Sequence, residues 1–379
     1  MLTADQARHL GEVQGSDLRD LMLAAATIKL KYWDETVTYS RKVFVPLTNM
    51  CRDTCTYCTF VKHPSSPEAN IMTPEQVMRT AHQGEETGCK ELLFSLGEKP
   101  ELRYEQAKAA LGELGYGSMV SYLADACKMV LRESKLLPHV NAGTLSDEEI
   151  DQLRPYAASM GMMLETTSRR LMKEGQPHHG CPDKAPVQRL RTLERAGQKK
   201  IPFTTGLLIG IGETWEERIE ALEAINESHA RYGHIQEVII QNFQSKPGIG
   251  MENHPEPTLD DMLRTLAVAR LVLSPDISLQ APPNLSERHM EYLSAGINDW
   301  GGISPVTIDF INPQHRWPVI DELAKSTQLA GQRLEERLTV YPSYLREKSE
   351  FVDPAVLSKS QGLWEQMGSS AVLHSGGSQ

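Results

Sequence analysis

The stretch "KVFVPLTNMCRDTCTYCTF", residues 42–60, joins an apolar run to a cluster of three cysteines. Its first seven residues, 42–48, form the nearly continuous apolar run that is typical of a strand covered on both faces. Cys51, Cys55 and Cys58 follow at once, and they are half of the six cysteines in the chain. In a barrel of parallel strands, chemistry collects on the loops that follow the strand C-termini. The stretch therefore predicts a strand that delivers three thiols to the mouth of such a fold.

Similar apolar runs recur along the chain, with helical stretches between them. Helix start signals stand at Thr73, Ser146, Thr214 and Thr258, with Pro74 at a first helical position. Strand–helix alternation repeated about eight times predicts a (β/α) TIM-type barrel, and an open doubly wound sheet is the alternative. The further strands are predicted at 91–96, 138–142, 161–166, 202–210, 237–243, 277–281 and 294–299.

The two ends of the chain differ from this alternating pattern. Residues 1–40 read as a helical N-terminal extension, and residues 331–379 read as a C-terminal helical extension that ends in a polar tail. The barrel is then expected to occupy residues 41–330.

Composition limits the class of protein. The chain has 379 residues, a formal net charge of -11, 40% hydrophobic residues and 23% charged residues, which is the globular range. The acidic balance argues against a nucleic-acid partner held by bulk charge. No run approaches the roughly 20 apolar residues of a membrane span, and the N-terminus lacks a signal-peptide core. We expect a cytoplasmic protein with reduced thiols, in which clustered cysteines mark a metal or catalytic site.

Three clustered thiols raise the question of which metal group takes three protein ligands. A structural zinc site takes four, and His63 is the available fourth ligand if the ion is zinc. An iron–sulfur cube normally takes four thiolates, so three leave one iron open for a small molecule. Cys89 and Cys127 are expected to be buried, inert thiols.

The Cys-x3-Cys-x2-Cys spacing, with Tyr57 before the third cysteine, closely resembles the radical S-adenosylmethionine (radical SAM) superfamily. The resemblance implies a [4Fe-4S] cluster held by Cys51, Cys55, Cys58 and the amino and carboxylate groups of SAM. It also implies that an external one-electron donor supplies the electron that cleaves SAM, and that the resulting 5′-deoxyadenosyl radical abstracts a hydrogen atom.

Later strand ends carry residues that match SAM-binding positions of the superfamily. "LGEKPE" resembles the GGE motif with Leu96 at the first glycine, "GLLIGIGET" fits a GxIxGxxE pattern, and "RLRTLERAG" resembles a helix whose first arginine reaches the SAM carboxylate. For the acid and the arginine, the alternatives are a solvated loop carboxylate and a surface guanidinium. The resemblance thus implies cofactor contacts from Tyr57, Gly97, Glu98, Glu165, Ser168, Arg189, Leu208 and Gly210.

Within the superfamily, residues 40–330 resemble the CofG-type subunit of 7,8-didemethyl-8-hydroxy-5-deazariboflavin (FO) synthase. The matching stretches include "FVPLTNMCRDTCTYCTF", "IPFTTGLLIGIGET" and "GINDWGGISPVTIDFINP". The resemblance implies ring closure, with loss of ammonia, of a tyrosine-derived adduct that a CofH-type partner enzyme supplies. A single CxxxCxxC motif predicts that the chain supplies one half of the synthase. The alternatives are a sibling barrel of the aminofutalosine-pathway or biotin-synthase-like type and, from another class, a zinc-stabilised binding protein.

Polar and aromatic residues near three further strand ends are candidates for substrate contact, although ordinary turn structure is the alternative for each. "QNF" at 241–243, "PPN" at 282–284 and "NDW" at 298–300 are expected at the barrel mouth. The loop "PHHGCPDK" at 177–184 adds His178 and His179, which could move protons, and Cys181, which could join a second metal. The predicted catalytic residues are Asp299 and Asn298, and the predicted substrate contacts are Gln241, Asn242, Phe243, Asn284 and Trp300.

Overall fold

The computed structural model describes the backbone of residues 1–375 and the side chains of residues 1–368. Eight parallel strands close into a barrel, because the first strand pairs with both the second and the eighth. The predicted barrel is therefore confirmed, and the open sheet is excluded. The strands are β1 Thr36–Pro46, β2 Glu91–Ser95, β3 Leu137–Asn141, β4 Ser159–Gly161, β5 Phe203–Ile209, β6 Ile235–Asn242, β7 Ser278–Gln280, β8 Asp299–Ile303 and an added β9 Arg333–Glu336.

Helices cover the outside of the barrel and begin where the sequence signals stand. Thr73, Ser146 and Thr214 each form a capping box, and Thr258 accepts a hydrogen bond from the backbone N–H of Asp261. These bonds satisfy N–H groups that have no partner inside the helix. The helices are α1 Ala4–Arg8, α2 Gly15–Trp33, α3 Pro74–Glu86, α4 Glu105–Glu113, α5 Met119–Glu133, α6 Asp147–Leu153, α7 Pro186–Gln198, α8 Trp215–Tyr232, α9 Leu259–Val272, α10 Ile320–Leu329, α11 Pro342–Arg346 and α12 Pro354–Ser375.

The eighth strand lies further along the chain than the sequence indicated. Residues 289–295 form a 3-10 helix, and β8 begins at Asp299. The run 294–299 was thus wrongly predicted as the strand, because an apolar run alone does not distinguish a buried strand from a buried helical turn. As a result, Asn298 and Asp299 lie where the strand begins, at the floor of the barrel, and their expected position at the mouth is wrong.

The floor of the barrel is closed by the chain that follows α10. Strand β9 pairs in parallel with the first residues of β1, and residues 337–341 then run beneath the barrel. Leu338 and Val340 are fully buried there against Leu137 and Ala158, in a second hydrophobic cluster. The C-terminal extension therefore contains a strand as well as helices, which the sequence pattern did not reveal.

Among the helices of the part of the chain that the structure describes, none has both the length and the hydropathy of a membrane span.

Candidate active site

The three clustered thiols lie in the loop after β1 and line one cavity of about 260 Å³ at the mouth of the barrel, here called the upper cavity. The loop is held against the end of β2, since the N–H of Arg52 donates to the carbonyl of Glu98 over 2.9 Å. Gly97 permits this approach, because a Cβ at that position would lie 2.0 Å from the carbonyl oxygen of Met50. The Cys51 Sγ also accepts from the backbone N–H of Glu98, at 3.1 Å.

The spacing of the thiols does not suit a single metal ion. In the described part of the chain, the one group of three ligand residues with atoms all within 4.8 Å of one another is Asp53, Glu98 and Asp183, so the cysteine sulfurs are spread more widely. Thiolates on one tetrahedral zinc ion, at Zn–S distances of about 2.3 Å, would lie closer together than that. His63 is exposed and bonds to Ser65 instead. The geometry thus favours a larger inorganic group over zinc.

Carboxylates and a guanidinium face each other on one side of the upper cavity. Arg189, 3% exposed, lies with its Nη2 4.0 Å from the Glu98 Oε2, and its Nε donates to the carbonyl of Asp183 over 3.0 Å. Burial raises the pKa of the Glu98 carboxyl to about 7, although Arg189 acts in the opposite direction. Asp53 is also buried, and its Oδ2 has no hydrogen-bond partner among the described residues. These groups can meet both ends of an amino acid zwitterion.

A second polar group surrounds Glu165, which follows β4. Its Oε1 pairs with the Lys184 Nζ at 2.5 Å, and its Oε2 lies 3.2 Å from the His178 Nε2 and 2.5 Å from the Tyr57 hydroxyl. Burial acts to raise the pKa of Glu165, but the positive charges of Lys184 and Arg189 outweigh it and hold the pKa well below its usual range. Glu165 is therefore a buried carboxylate anion that fixes Tyr57 and His178 at the cavity wall.

An apolar wall completes the upper cavity. Leu208 and Phe243, at the ends of β5 and β6, belong to a small hydrophobic cluster against which Tyr57 packs. The loop after β5 is held by Glu213, whose carboxylate accepts from the N–H groups of Gly210 at 2.8 Å and Ile211 at 2.9 Å. The acid of the GxIxGxxE pattern thus shapes the loop and does not face the cavity.

A second cavity, here called the lower cavity, has a volume of about 170 Å³ and lies between the upper cavity and the floor. The two cavities share a wall that includes Asn141, Met162 and Gln241. Asn284 and Trp300 line the lower cavity, and the Asn284 Oδ1 and Trp300 Nε1 are buried without a partner in the described part of the molecule. Buried polar atoms of this kind are costly unless a ligand or water satisfies them.

The upper cavity brings together most of the predicted cofactor and substrate residues. Ser168 and Gly210 do not line it: the Ser168 hydroxyl donates to Glu217, and Gly210, at φ +88°, lies against Pro257. The predicted residues that do line it are Cys51, Cys55, Cys58, Tyr57, Gly97, Glu98, Glu165, Arg189, Leu208, Gln241, Asn242 and Phe243.

Asp299 and Asn298 are occupied by other parts of the protein. Asp299 is fully buried and forms a bidentate ion pair with Arg337, over 2.6 and 3.0 Å. The Asn298 side chain donates to the Ser278 hydroxyl over 2.9 Å and also accepts from Arg270. The geometry gives both residues a role in joining β8 to its neighbours, in place of the predicted contact with the substrate.

Sequence reasoning assigned no role to two residues of the upper cavity. Lys184 and Asp53 line the cavity, and the Cys181 Sγ, outside its wall, accepts from the backbone N–H of Thr54 at 3.3 Å. Of the two histidines in the loop 177–184, His178 is buried at the site and His179 is exposed. Nothing in the local sequence indicates that Lys184 meets Glu165, since that contact depends on the path of the loop.

Comparison with known proteins agrees with the fold and with the thiol loop. Residues 45–225 match the radical SAM superfamily. The crystal structure of methylornithine synthase (PylB) superposes with a TM-score of 0.69, covering 88% of this chain and 94% of that one at 18% identity, which shows a shared fold. The fold and the thiol loop define a radical SAM barrel enzyme, whose cofactors are a [4Fe-4S] cluster and SAM.

Two relatives identify the branch of the superfamily. The 7,8-didemethyl-8-hydroxy-5-deazariboflavin synthase of Methanopyrus kandleri is 53% identical over 82% of this chain and 93% of its own length. The FO synthase of Mycobacterium tuberculosis H37Rv is 46% identical over 94% of this chain, but this chain spans only 44% of that protein. The chain belongs to the 7,8-didemethyl-8-hydroxy-5-deazariboflavin (FO) synthase family.

The residues of the upper cavity fit the two cofactors. Three thiols spaced too widely for one ion suit three corners of a cluster. The unpartnered Asp53 Oδ2 and the Glu98 carboxylate can accept from the SAM ammonium, and the Arg189 fork can donate to its carboxylate. The wall of Leu208 and Phe243 offers an apolar surface to adenine.

Proposed function

We propose that this chain forms the deazaflavin FO by ring closure and ammonia loss from 5-amino-5-(4-hydroxybenzyl)-6-(D-ribitylimino)-5,6-dihydrouracil, a step of coenzyme F420 biosynthesis. The identity of 53% with a named synthase over 93% of its length supports this assignment. A sibling barrel that acts on another aromatic molecule lacks such support.

The observation that carries the proposal is the pair of adjoining cavities. The upper cavity holds the thiols and the groups suited to an amino acid, and the lower cavity is lined with amides, aromatic rings and buried charges. Asn141 and Gln241 belong to both walls, so a substrate in the lower cavity would lie next to a cofactor in the upper one.

When bound, the cluster and SAM supply the reductive cleavage that generates a hydrogen-abstracting radical. The proposal assigns the protein's own residues to binding and orientation. Arg189 would hold the SAM carboxylate, Glu98 its ammonium, and Leu208 and Phe243 its base.

The substrate is proposed to contact residues of both cavities. Gln241 has an amide that no described residue binds, and Asn242 carries a buried Oδ1 without a partner. Phe243, Asn284 and Trp300 add an aromatic wall, a third amide and an indole N–H. Such groups suit a uracil edge and a phenol ring.

We further propose that a CofH-type radical SAM enzyme supplies the adduct and that an external donor supplies the electron. The presence of relatives more than twice as long as this chain agrees with a second catalytic unit in those proteins. The six free cysteines suit a reducing compartment such as the cytoplasm.

The test is an anaerobic assay with the reconstituted enzyme, SAM, a reductant, tyrosine, 5-amino-6-(D-ribitylamino)uracil and a CofH-type partner. We expect the fluorescence of FO and the release of 5′-deoxyadenosine, both dependent on this chain. The matched control is Cys55→Ser, which should give neither product.

One result would contradict the proposed substrate and another the enzyme class. Cleavage of SAM without FO, while the partner demonstrably makes the adduct, would assign the chain to another substrate. Failure of the reconstituted protein to bind iron would refute the radical SAM assignment itself.

A further inference from the structure

The floor of the lower cavity is unusually polar for the centre of a barrel. Glu237 on β6 is 5% exposed; its Oε1 accepts from the Arg337 Nη2 over 3.1 Å and its Oε2 from the Thr204 hydroxyl over 3.1 Å. His139 on β3 contacts Ser159 through Nδ1 at 2.7 Å. Burial lowers the pKa of His139 to about 4, so the ring is neutral at physiological pH.

Two of the floor residues have polar atoms left free to bind a ligand. No described residue hydrogen-bonds to the His139 Nε2 or to the side-chain amide of Gln280 on β7. Both residues line the cavity, and they are only 6% and 7% exposed, respectively. Because both residues line the cavity, a bound group can form hydrogen bonds with the Gln280 amide and the His139 Nε2. The floor therefore offers unpaired hydrogen-bonding groups to whatever enters the cavity.

The two glycines of "NDWGG" make room for this arrangement. A Cβ at Gly301, which has φ +73°, would lie 1.8 Å from the Gln280 Nε2, and a Cβ at Gly302 would lie 2.1 Å from the Lys42 Cε. The glycines let the side chains of Gln280 and Lys42 lie across β8 inside the barrel. Lys42 in turn forms an ion pair with Glu91 at 2.7 Å.

The opposite side of the lower cavity is apolar. Phe44 and Trp317 stack there with their ring centroids 5.2 Å apart and their planes 2° from parallel, beside Leu93 and Leu285. Aromatic parts of a ligand favour such a wall, while hydroxyl groups favour the floor. The volume of about 170 Å³ is below the roughly 300 Å³ of sites that enclose a whole drug-sized ligand. Only a part of the adduct fits at the floor.

We propose that the floor of the lower cavity binds the polyol side chain of the substrate, and that Gln280, His139 and Glu237 determine specificity for that chain. This inference rests on the proposed function, since it takes the ribityl-bearing adduct as the substrate. A four-hydroxyl chain offers donors and acceptors that match an amide, a free imidazole nitrogen and a carboxylate. The aromatic parts would then point toward the stacked pair and the upper cavity.

The test compares two ligands on the reconstituted enzyme in the presence of SAM: FO itself, and an FO analogue with a methyl group in place of the ribityl chain. Binding is measured by anaerobic ultrafiltration, with deazaflavin fluorescence read in the filtrate. We expect the wild type to bind FO roughly ten- to a hundredfold more tightly than the analogue, since several hydrogen bonds distinguish them. Gln280→Leu keeps the side-chain bulk and removes the amide. We expect it to lower the ratio of the two dissociation constants, analogue over FO, by about tenfold.

A second variant and one control separate specificity from folding. Glu237→Gln, which can still accept from Arg337, should also reduce the preference, and Asp321→Asn, at an exposed position outside both cavities, should leave it unchanged. Equal binding of FO and its analogue by the wild type, including no measurable binding of either, would overturn the inference. So would an unchanged preference in Gln280→Leu. Both results are distinct from failure of the proposed function, because that failure is the absence of FO in the turnover assay.

Discussion

At the scale of single residues, the sites depend on a few side chains with unusual surroundings. Asp53 and Glu98 are buried acids beside a buried Arg189, and Glu165 is a carboxylate held by Lys184. Buried charges persist only where partners or ligands offset their lost hydration. Substitution at these positions should therefore affect the cofactor and the fold in measurably different ways.

Serine in place of Cys51, Cys55 or Cys58 should abolish the iron–sulfur absorbance and the cleavage of SAM. Each thiolate would occupy one iron, and a cluster with two protein ligands should not survive reconstitution. Iron content and 5′-deoxyadenosine release are the measurements. Cys127→Ser, in a fully buried position on α5, is the control and should keep the cluster. Full iron loading in a triad variant would show that another thiol, with Cys181 beside Cys55 the nearest candidate, takes over.

Arg189→Ala should weaken SAM binding roughly ten- to a hundredfold, because a charge-assisted hydrogen bond contributes about 1.5–3 kcal/mol. Arg189→Lys should recover only part of the affinity, since an ammonium lacks the planar fork. Equilibrium dialysis with reconstituted protein measures the affinity. Arg191→Ala, at an exposed position on the same helix, is the matched control. Equal affinities in the two alanine variants would remove Arg189 from the SAM site.

Glu237 should make the stability of the protein depend on pH. Burial raises its pKa from 4.5 to about 7 in the folded state, although Arg337 acts in the opposite direction. Between these two pH values the folded state holds a proton that the unfolded state has lost, and this difference stabilises the fold. The contribution of this proton to the free energy of unfolding is fully present below about pH 4.5 and is lost as the pH rises through about 7. The melting temperature of Glu237→Gln should therefore rise relative to that of the wild type between pH 5.5 and 8.5. A constant difference would place the Glu237 pKa outside this range.

At the scale of elements, the segment 337–341 closes the floor of the barrel and bonds to several of its strands. Arg337 pairs with Asp299 on β8 and Glu237 on β6, and the Tyr341 hydroxyl donates to Asp299 over 3.0 Å. The Gln236 amide on β6 donates to the carbonyl of Thr339 over 2.9 Å. One short segment thereby joins strands that lie apart in the sheet.

Asp299→Asn should destabilise the fold by about 3–5 kcal/mol, the usual cost of breaking one side of a buried ion pair. Melting temperature, 5′-deoxyadenosine and FO should then fall together. Asp321→Asn, exposed at the start of α10, is the control and should change none of them. Loss of FO alone, with full stability and full cleavage of SAM, would return Asp299 to the substrate contacts that the sequence suggested.

At the scale of the whole molecule, the extensions share the core of the barrel. Ala7 and Ala25 of the N-terminal helices belong to the main hydrophobic cluster, and Tyr341 and Leu345 pack with Leu137 and Ala158 under the floor. The division of the chain at residues 40 and 330 stays a prediction, and this shared core favours a single folding unit. Cooperative unfolding follows when the parts bury one another's apolar surface.

Truncation after residue 330 should prevent stable folding. It would expose Leu137 and Ala158 and leave the buried Asp299 and Glu237 without Arg337. Circular dichroism melts and solubility measure the outcome. Arg333→Ala, an exposed position on β9 in the full chain, should melt like the wild type. A truncated chain with an unchanged melting temperature would mean that the C-terminal segment is an independent addition.

The barrel, the helix caps and the loop of three thiols could be predicted from the sequence. These features rest on local patterns: apolar runs, capping residues and the spacing of cysteines over eight positions. Glu98, in the loop after β2, and Arg189, in the first turn of α7, followed from resemblance, and the structure places both at the same cavity. Their contact could be anticipated because the C-termini of parallel strands meet at one face.

Tertiary contacts set which polar residues line the two cavities. Asn298 and Asp299 looked like mouth residues, but a shift of β8 by a few positions put them at the floor, where Arg270 and Arg337 bind them. Lys184 pairs with Glu165, and the side-chain amide of Gln280 lies against Gly301. Both contacts join segments that are about 20 residues apart in the chain. Such contacts depend on strand ends and loop paths, which the packing of the whole barrel sets and no local pattern encodes.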